Sequence, residues 1–350
     1  MIKSNGLRNL SGKALRFVCA VAACLLPVQA KGEPVRVCVT TPDLGSLVQE
    51  IGGERVSLTI FGKGSEDPHF LEPKPSFVKA LSLADIFVQT GLDLESGWAP
   101  LIIQNARNSK VVPGARGFVD ASSAISQLEV PTGHVDRSMG DVHPGGNPHY
   151  LLDPINGLAV ARLIRDRLSE IRPQERALFH ERYSSFRDKV AKALVGERLA
   201  ARYDFEKLAI LFEHGKLQPF LAEQGQTDLL GGWLGAMMPH FGVKVVADHN
   251  LWPYFARRFG IRVVGFMEPK PGISPTTKHL GELIQAMKAQ GVKVILTVPY
   301  FDTRHARFLA ERTGARIARM AHQVESVPEA RDYLGMVDHN VQEVLSALRP

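Results

Sequence analysis

Apolar residues recur along this chain in two rhythms, and their alternation sets out the expected fold. Val35 to Thr40 and Val56 to Ile60 are apolar runs of strand length, and between them Leu44 to Ile51 has helical spacing closed by Gly52-Gly53. Pro75 opens a helix with Phe77, Leu81 and Ala84 on one face, and Ile86 to Gln89 returns as a strand. After a turn-rich stretch from Gly140 to Pro154, Leu158, Ala161, Ile164, Leu168 and Ile171 line a further helix. Pro173 to about Ala201 is charged and helical in period, with Leu178, Phe186, Val190, Leu194 and Leu199 as packing positions. Such a helix would be about 40 Å long, enough to run the length of two lobes. Arg202 to Gly232 yields only short amphipathic pieces, within which Glu213-His214 reads as a solvated pair.

From Lys244 the rhythm is regular. Val245 to Ala247 is a strand; Asn250 can cap and Pro253 can open the helix that Gly260 stops; Arg262 to Phe266 is the next strand. Glu268 to Gly272 is a stiff turn, Ser274-Pro275 starts a helix through residues 277–290, and strand 293–297, helix 303–313 and strand 316–320 follow. A last helix, 329–348, turns Leu334, Val337, Val341, Val344 and Leu348 inward. The expected class is α/β, with two lobes that each hold a mostly parallel sheet and flanking helices.

Composition changes the picture at the amino terminus. Lys3, Arg8, Lys13 and Arg16 precede an apolar core from Phe17 to Val28 and a small-residue site ending at Ala30, so residues 1–30 read as a secretory signal. Val21-Ala22-Ala23-Cys24 loosely resembles a lipobox that would anchor the chain through Cys24, but cleavage after Ala30 is preferred because the apolar run continues past the cysteine. Removing the leader takes 4 of the 42 Lys+Arg and none of the 36 Asp+Glu, so the net charge of +6 falls to +2 and nucleic-acid binding loses its compositional support. Only Cys38 survives, which excludes an internal disulfide and a cysteine zinc site. The mature protein is expected to be exported and soluble, in the periplasm.

No GxSxG, GxxxxGK[ST], GxGxxG or HExxH signature is present. What stands out is His69, His149 and His249, each at a strand end or a structured turn, where ligands bind in open parallel sheets. Each alone reads as a loop or packed histidine. Asp67, two residues before His69, could orient a metal-bound imidazole, and Glu268 could stand beside His249. His143, between Val142 and Pro144-Gly145-Gly146, reads as more mobile than His149. Three neutral imidazoles suit Zn²⁺, whereas Mn²⁺ would ask for more carboxylate oxygen.

The segments DPHFLEPKPSFVKALSLADIFVQTGLDLESGW, NPHYLLDP, VVADHNLWPYFARRFG and EPKPGISPTTKHL resemble the zinc and manganese solute-binding proteins of bacterial ABC importers, the cluster A-I family. The resemblance covers nearly all of the mature chain. It implies two α/β lobes bridged by one long, rigid helix, a metal held in the cleft between them, and delivery to a membrane permease by a non-enzymatic, monomeric carrier. The lobes would span 31–172 and 233–350, with 173–201 as the connecting helix and 202–232 as an insertion. By position, His69 and His149 would be first-lobe ligands and His249 the first from the second lobe. Manganese-preferring relatives tend to carry glutamate at the His249 position, so the resemblance leans toward zinc.

Two departures stand beside it. Where the family commonly supplies an aspartate as fourth ligand, this chain reads Ala321-His322-Gln323-Val324-Glu325, so His322, Glu325 or water would complete the shell, with His322 placed first. The His-rich loop often seen in zinc-specific members is absent. Two other functions suit the same residues: a zinc hydrolase with Glu268 as general base, and an adhesin or metallochaperone on the same fold.

Overall fold

The computed structural model describes residues 32–132, 143–270 and 273–349. The leader, its Ala30 site and Cys24 lie outside them, as does the end of the turn after Glu268. Pro34–Pro350 form one compact unit. Its first half runs β1 (Val35–Val39), α1 (Pro42–Gly52), β2 (Val56–Ile60), α2 (Pro75–Leu83), β3 (Ile86–Gln89), α3 (Ala99–Ala106) and β4 (Phe118–Asp120). Then come α4 (Pro154–Ile171), α5 (Arg176–Val195), α6 (Glu197–Ala200), α7 (Phe205–Glu213), α8 (Leu217–Glu223) and α9 (Gly232–Met237). The second half is β5 (Lys244–Ala247), α10 (Pro253–Phe259), β6 (Arg262–Phe266), α11 (Thr277–Gln290), β7 (Val294–Thr297), α12 (Thr303–Thr313), β8 (Arg316–Arg319) and α13 (Tyr333–Leu348).

The strands form two parallel sheets, ordered β2-β1-β3-β4 and β6-β5-β7-β8. Helices cover both faces, which is why strands such as β7 (VILT) are apolar and buried throughout rather than alternating. In each sheet the chain reverses its direction of travel between the two central strands, and a crevice opens there at the strands' carboxyl ends. Thr40, Thr41 and Thr90 occupy that point in the first sheet; Asp248, His249 and Val298 occupy it in the second. β4 escapes sequence reading because three residues behind Gly117 are too short to register as an apolar run.

One apolar cluster is continuous through both lobes, from Val35 and Leu44 by way of Phe186 and Leu194 to Val294 and Val341. Two smaller clusters cover the other faces of the sheets, one around Phe61, Phe77 and Trp98, the other around Ile284, Met287 and Ile295. In α5 the buried stripe is Phe179, Tyr183, Phe186, Val190 and Leu194; Leu178, expected to pack, lies one position off it and is only partly buried. α5 has 20 residues, hence about 30 Å rather than 40. It stops at Gly196, whose φ of 82° suits glycine, and whose hydrogen side lies against Gly231, 2.8 Å from that residue's Cα for any added Cβ.

Other boundaries shift by local chemistry. α10 starts after Trp252 without a side-chain cap, while Asn250 instead donates to Glu129 Oε2 at 2.7 Å. α11 is capped by Thr276, and α13 by Asp332, four residues later than the periodicity suggests. Glu213 is not a solvated residue: it pairs with Arg258, which also grips both oxygens of buried Asp153 at 2.8 and 3.0 Å. That arginine ties α7 and α10 of the later chain to the start of α4.

The lobes are locked together beside the cleft. Gln323 Nε2 donates to the carbonyls of Lys63, Gly64 and Glu66 at 2.9, 3.1 and 2.9 Å, and Val324 N–H donates to Asp43 Oδ1 at 2.8 Å. Tyr333 Oη reaches Leu151 O at 2.7 Å. Gly64 sits so close to the Val324 and Glu325 backbone that a methyl group there would overlap it.

Candidate metal centre

His69 lies in a single helical turn, Pro68–Phe70, that Asp67 starts: one carboxylate oxygen accepts both the His69 backbone N–H at 3.0 Å and its ring Nδ1 at 2.7 Å. Trp98 Nε1 donates to Pro68 O at 3.0 Å and pins the turn to the lobe. His149 starts the turn Tyr150–Leu152, with its N–H held by Asn147 Oδ1 at 3.0 Å. His249 follows β5 directly. Asp248 accepts the His249 and Val298 N–H groups at 2.8 and 2.7 Å, joining the ends of β5 and β7, and His249 Nδ1 meets Glu268 Oε2 at 2.7 Å beyond β6.

The rings converge between the lobes. Ring centroids of His69 and His149 are 5.4 Å apart, those of His69 and His249 6.5 Å, and those of His149 and His249 6.4 Å. His143, passed over for its glycine-rich setting, stacks on His69 at 5.2 Å with the two Nε2 atoms 3.2 Å apart. Among the described residues no three His, Cys, Asp or Glu side chains already converge as a closed metal site; the imidazoles form a slightly open cluster. His322 is buried elsewhere, its Nε2 3.3 Å from Glu66 O and its ring edge-on to Tyr300 at 4.6 Å. Glu325 is exposed with φ of 63°.

Electrostatics favour neutral rings at His143, His149 and His322. Burial, then the neighbouring imidazoles, depress His149 well below its ordinary range, and burial with the His69 and His249 charges lowers His143 to about 4. Burial likewise takes His322 to about 4 against the opposing pull of the Glu66 carbonyl. Burial pushes Asp67 up, but its hydrogen bonds and charge contact with His69 together outweigh that and hold it low. A carboxylate accepts only, so Asp67 and Glu268 fix a proton on Nδ1 of their histidines and leave Nε2 as the nitrogen that could bind a metal. Beside His149 a cavity of about 30 Å³ is lined by Thr41, Thr90 and His322, whose Oγ1, Oγ1 and Nδ1 atoms are buried without a hydrogen-bond partner among the described residues. It has room for a water that would satisfy them.

Two parallel sheets, lobes locked together and a cluster of imidazoles between them are the features of a metal-binding solute-binding protein. The chain belongs to the family of the periplasmic zinc-uptake complex component A, whose profile matches residues 37–218 and 234–347. The manganese-binding lipoprotein MntA of Halalkalibacterium halodurans is 24% identical over 320 residues, covering 91% of this chain and 89% of that protein. A crystal structure of ZnuA superposes with a TM-score of 0.65 at 20% identity, covering 90% of this chain and 99% of that one. The laminin-binding adhesin Lmb of Streptococcus agalactiae gives 0.66 at 19% identity, covering 91% and 100%. The chain is thus an extracytoplasmic, non-enzymatic metal-binding component of an ABC transporter, and a membrane permease is its partner. Among the described residues no helix is long and apolar enough to cross a membrane.

Proposed function

We propose that the cargo is zinc, held by His69, His143, His149 and His249 and passed to the permease. The observation that carries this is the 3.2 Å between His69 Nε2 and His143 Nε2. Two imidazole nitrogens on one tetrahedral zinc, each bonded at about 2.0–2.1 Å, stand about 3.3 Å apart. The donors are nitrogen, and the two nearby carboxylates are occupied in orienting rings, so the set suits Zn²⁺ better than the oxygen-seeking Mn²⁺. Relatives named for manganese set the competing reading. In this proposal His143 takes the place that sequence reasoning gave first to His322, because His322 Nε2 faces a carbonyl. The carrier is a monomer with lobes 31–172 and 233–350, a connecting helical segment 173–201 and an insertion 202–232. Several relatives are named lipoproteins, which raises Cys24 over Ala30 as the processing point and would tether the carrier to the membrane's outer face.

The test is metal analysis of protein purified without added metal, with competition titration of both ions. Bound zinc at one equivalent, displaced by manganese only at large excess, is expected. Tighter binding of manganese would overturn the choice of metal, and no binding of either would overturn the site.

A further inference from the structure

Beyond the imidazole cluster, the second lobe holds a cavity of about 470 Å³ at the carboxyl ends of β7 and β8. Its walls are apolar where Val298, Ala306, Ile317 and Val327 meet. Arg307 and Arg319 line it as well, and no acidic side chain does. Among the described residues the Arg319 side chain is in no ion pair or hydrogen bond; the nearby Glu343 carboxylate is engaged by the Arg319 backbone N–H at 2.7 Å. Arg307 spends Nη2 on Thr303 Oγ1 at 2.7 Å and Nε on Thr303 O at 3.5 Å, which leaves the N–H groups of Nη1 for a ligand. Asp302, at the start of α12, faces Arg304 rather than either arginine.

Ser326 supplies the independent observation. It is buried, lines this cavity, and its Oγ has no hydrogen-bond partner among the described residues. A buried hydroxyl left unpaired is costly enough that native proteins seldom keep one. Two guanidiniums and a hydroxyl donor around an apolar chamber match one chemistry: a negative headgroup that accepts several hydrogen bonds, carried on a carbon body. The volume is in the range of small-molecule sites and far beyond what a chloride ion would fill. A bare phosphate would leave the apolar wall without a partner.

We propose that this cavity is a second ligand site, for a small carboxylate with an apolar body. The carboxylate is received by Arg319, Arg307 and the Ser326 hydroxyl, while the body lies on Val298, Ala306, Ile317 and Val327. The loops that form its walls also reach the cleft: Phe301 stacks on His249 at 5.7 Å, and Val324 and Gln323 make the cross-lobe bonds. The site therefore shares its wall loops with the second lobe's side of the cleft.

Benzoate is the probe, titrated calorimetrically into the metal-free mature chain so that no bound metal can receive the carboxylate. Saturable 1:1 binding is expected, weakened about tenfold or more by Arg319→Ala and by Ser326→Ala, and only partly by Arg319→Lys. Benzyl alcohol, which keeps the ring and lacks the charge, and inorganic phosphate, which keeps the charge and lacks the ring, should each bind at least about tenfold more weakly. Arg319 is on the surface, so its variants test the site without threatening the fold. No saturable binding below about 10 mM, wild-type affinity in Arg319→Ala, or phosphate binding as tightly as benzoate would each overturn the proposal.

Discussion

His249 Nδ1 stands 2.7 Å from Glu268 Oε2, the same separation as His69 Nδ1 from Asp67 Oδ1 in the other lobe. Each lobe thus brings one imidazole to the cleft already oriented by its own carboxylate. Partners of this kind raise ligand basicity and commonly change metal affinity by about 10–100-fold. Glu268→Gln, which keeps an acceptor and removes the charge, should weaken zinc binding by about tenfold while the melting temperature of the metal-free protein barely moves. Equal zinc affinity in the variant would show that the contact only packs the ring.

The ligand set makes a sharper demand. Alanine at His69, His143, His149 or His249 should each lower zinc affinity by orders of magnitude, while His180→Ala, on an exposed helix face, should not. His322→Ala separates the two candidates for the fourth position. It removes a ring whose Nε2 already faces Glu66 O, so its effect on zinc should be small beside that of His143→Ala. The reverse ranking, read by competition titration, would return His322 to the shell.

Much of this could be read in the sequence because parallel strands buried on both faces are continuous apolar runs, and the residue after such a run is at the sheet's ligand-bearing end. That reasoning locates His249 and the Asp67–His69 pair. It fails for His143, since a histidine among Pro144, Gly145 and Gly146 carries no local periodicity, and only His69 from 74 residues away shows where it stands. It fails likewise for Glu213, whose partner Arg258 becomes visible only when α7 and α10 meet. Along α5 Phe186, Val190 and Leu194 are buried as expected, and only Leu178 is misplaced, because Leu178 and Phe179 are both apolar and the fold buries Phe179.

Asp43 gives a pH test whose sign is fixed. Burial pushes its carboxyl up to about 7, against the hydrogen bond from Val324 N–H. Between the ordinary carboxylate value near 4 and about 7, the folded protein holds a proton that the unfolded chain has released, so this contribution to stability is full at low pH and is lost as pH rises through about 7. His143 and His322, both lowered to about 4, act oppositely: their contribution is present above about 6.5 and fades as pH falls. The histidine terms cancel between wild type and Asp43→Asn. The asparagine variant should therefore gain on wild type from pH 5 to pH 8 in metal-free melting curves, by an amount on the order of a few kcal/mol at most. A difference that stays flat with pH would contradict the buried, protonated carboxyl.

Gly64 tests whether the locked lobes matter for capture. A side chain there would run into the Val324 and Glu325 backbone and pry Gln323 from its three carbonyls. Gly64→Ala should lower the melting temperature, costing about 1–3 kcal/mol, and should weaken zinc binding because His69 and His249 then sit on separated lobes. Unchanged affinity alongside reduced stability would mean that the cluster tolerates separation, and that rigidity is not what sets its spacing.

Metal choice turns on His249. Its ring is the second lobe's donor in the proposed set, and its Nδ1 proton is fixed by Glu268. His249→Glu would replace a neutral nitrogen by a charged oxygen and bring two carboxylates together. Their repulsion would be relieved only by a cation, and oxygen donors suit manganese better than they suit zinc. The substitution should therefore lower zinc affinity and raise the manganese-to-zinc affinity ratio by about tenfold or more, with zinc still the tighter ion because the other three donors stay imidazole. Competition titrations of both metals on wild type and His249→Glu at neutral pH decide the matter. A ratio that does not move would detach selectivity from this position, and a wild type that already prefers manganese would place the choice of metal outside the donor set altogether.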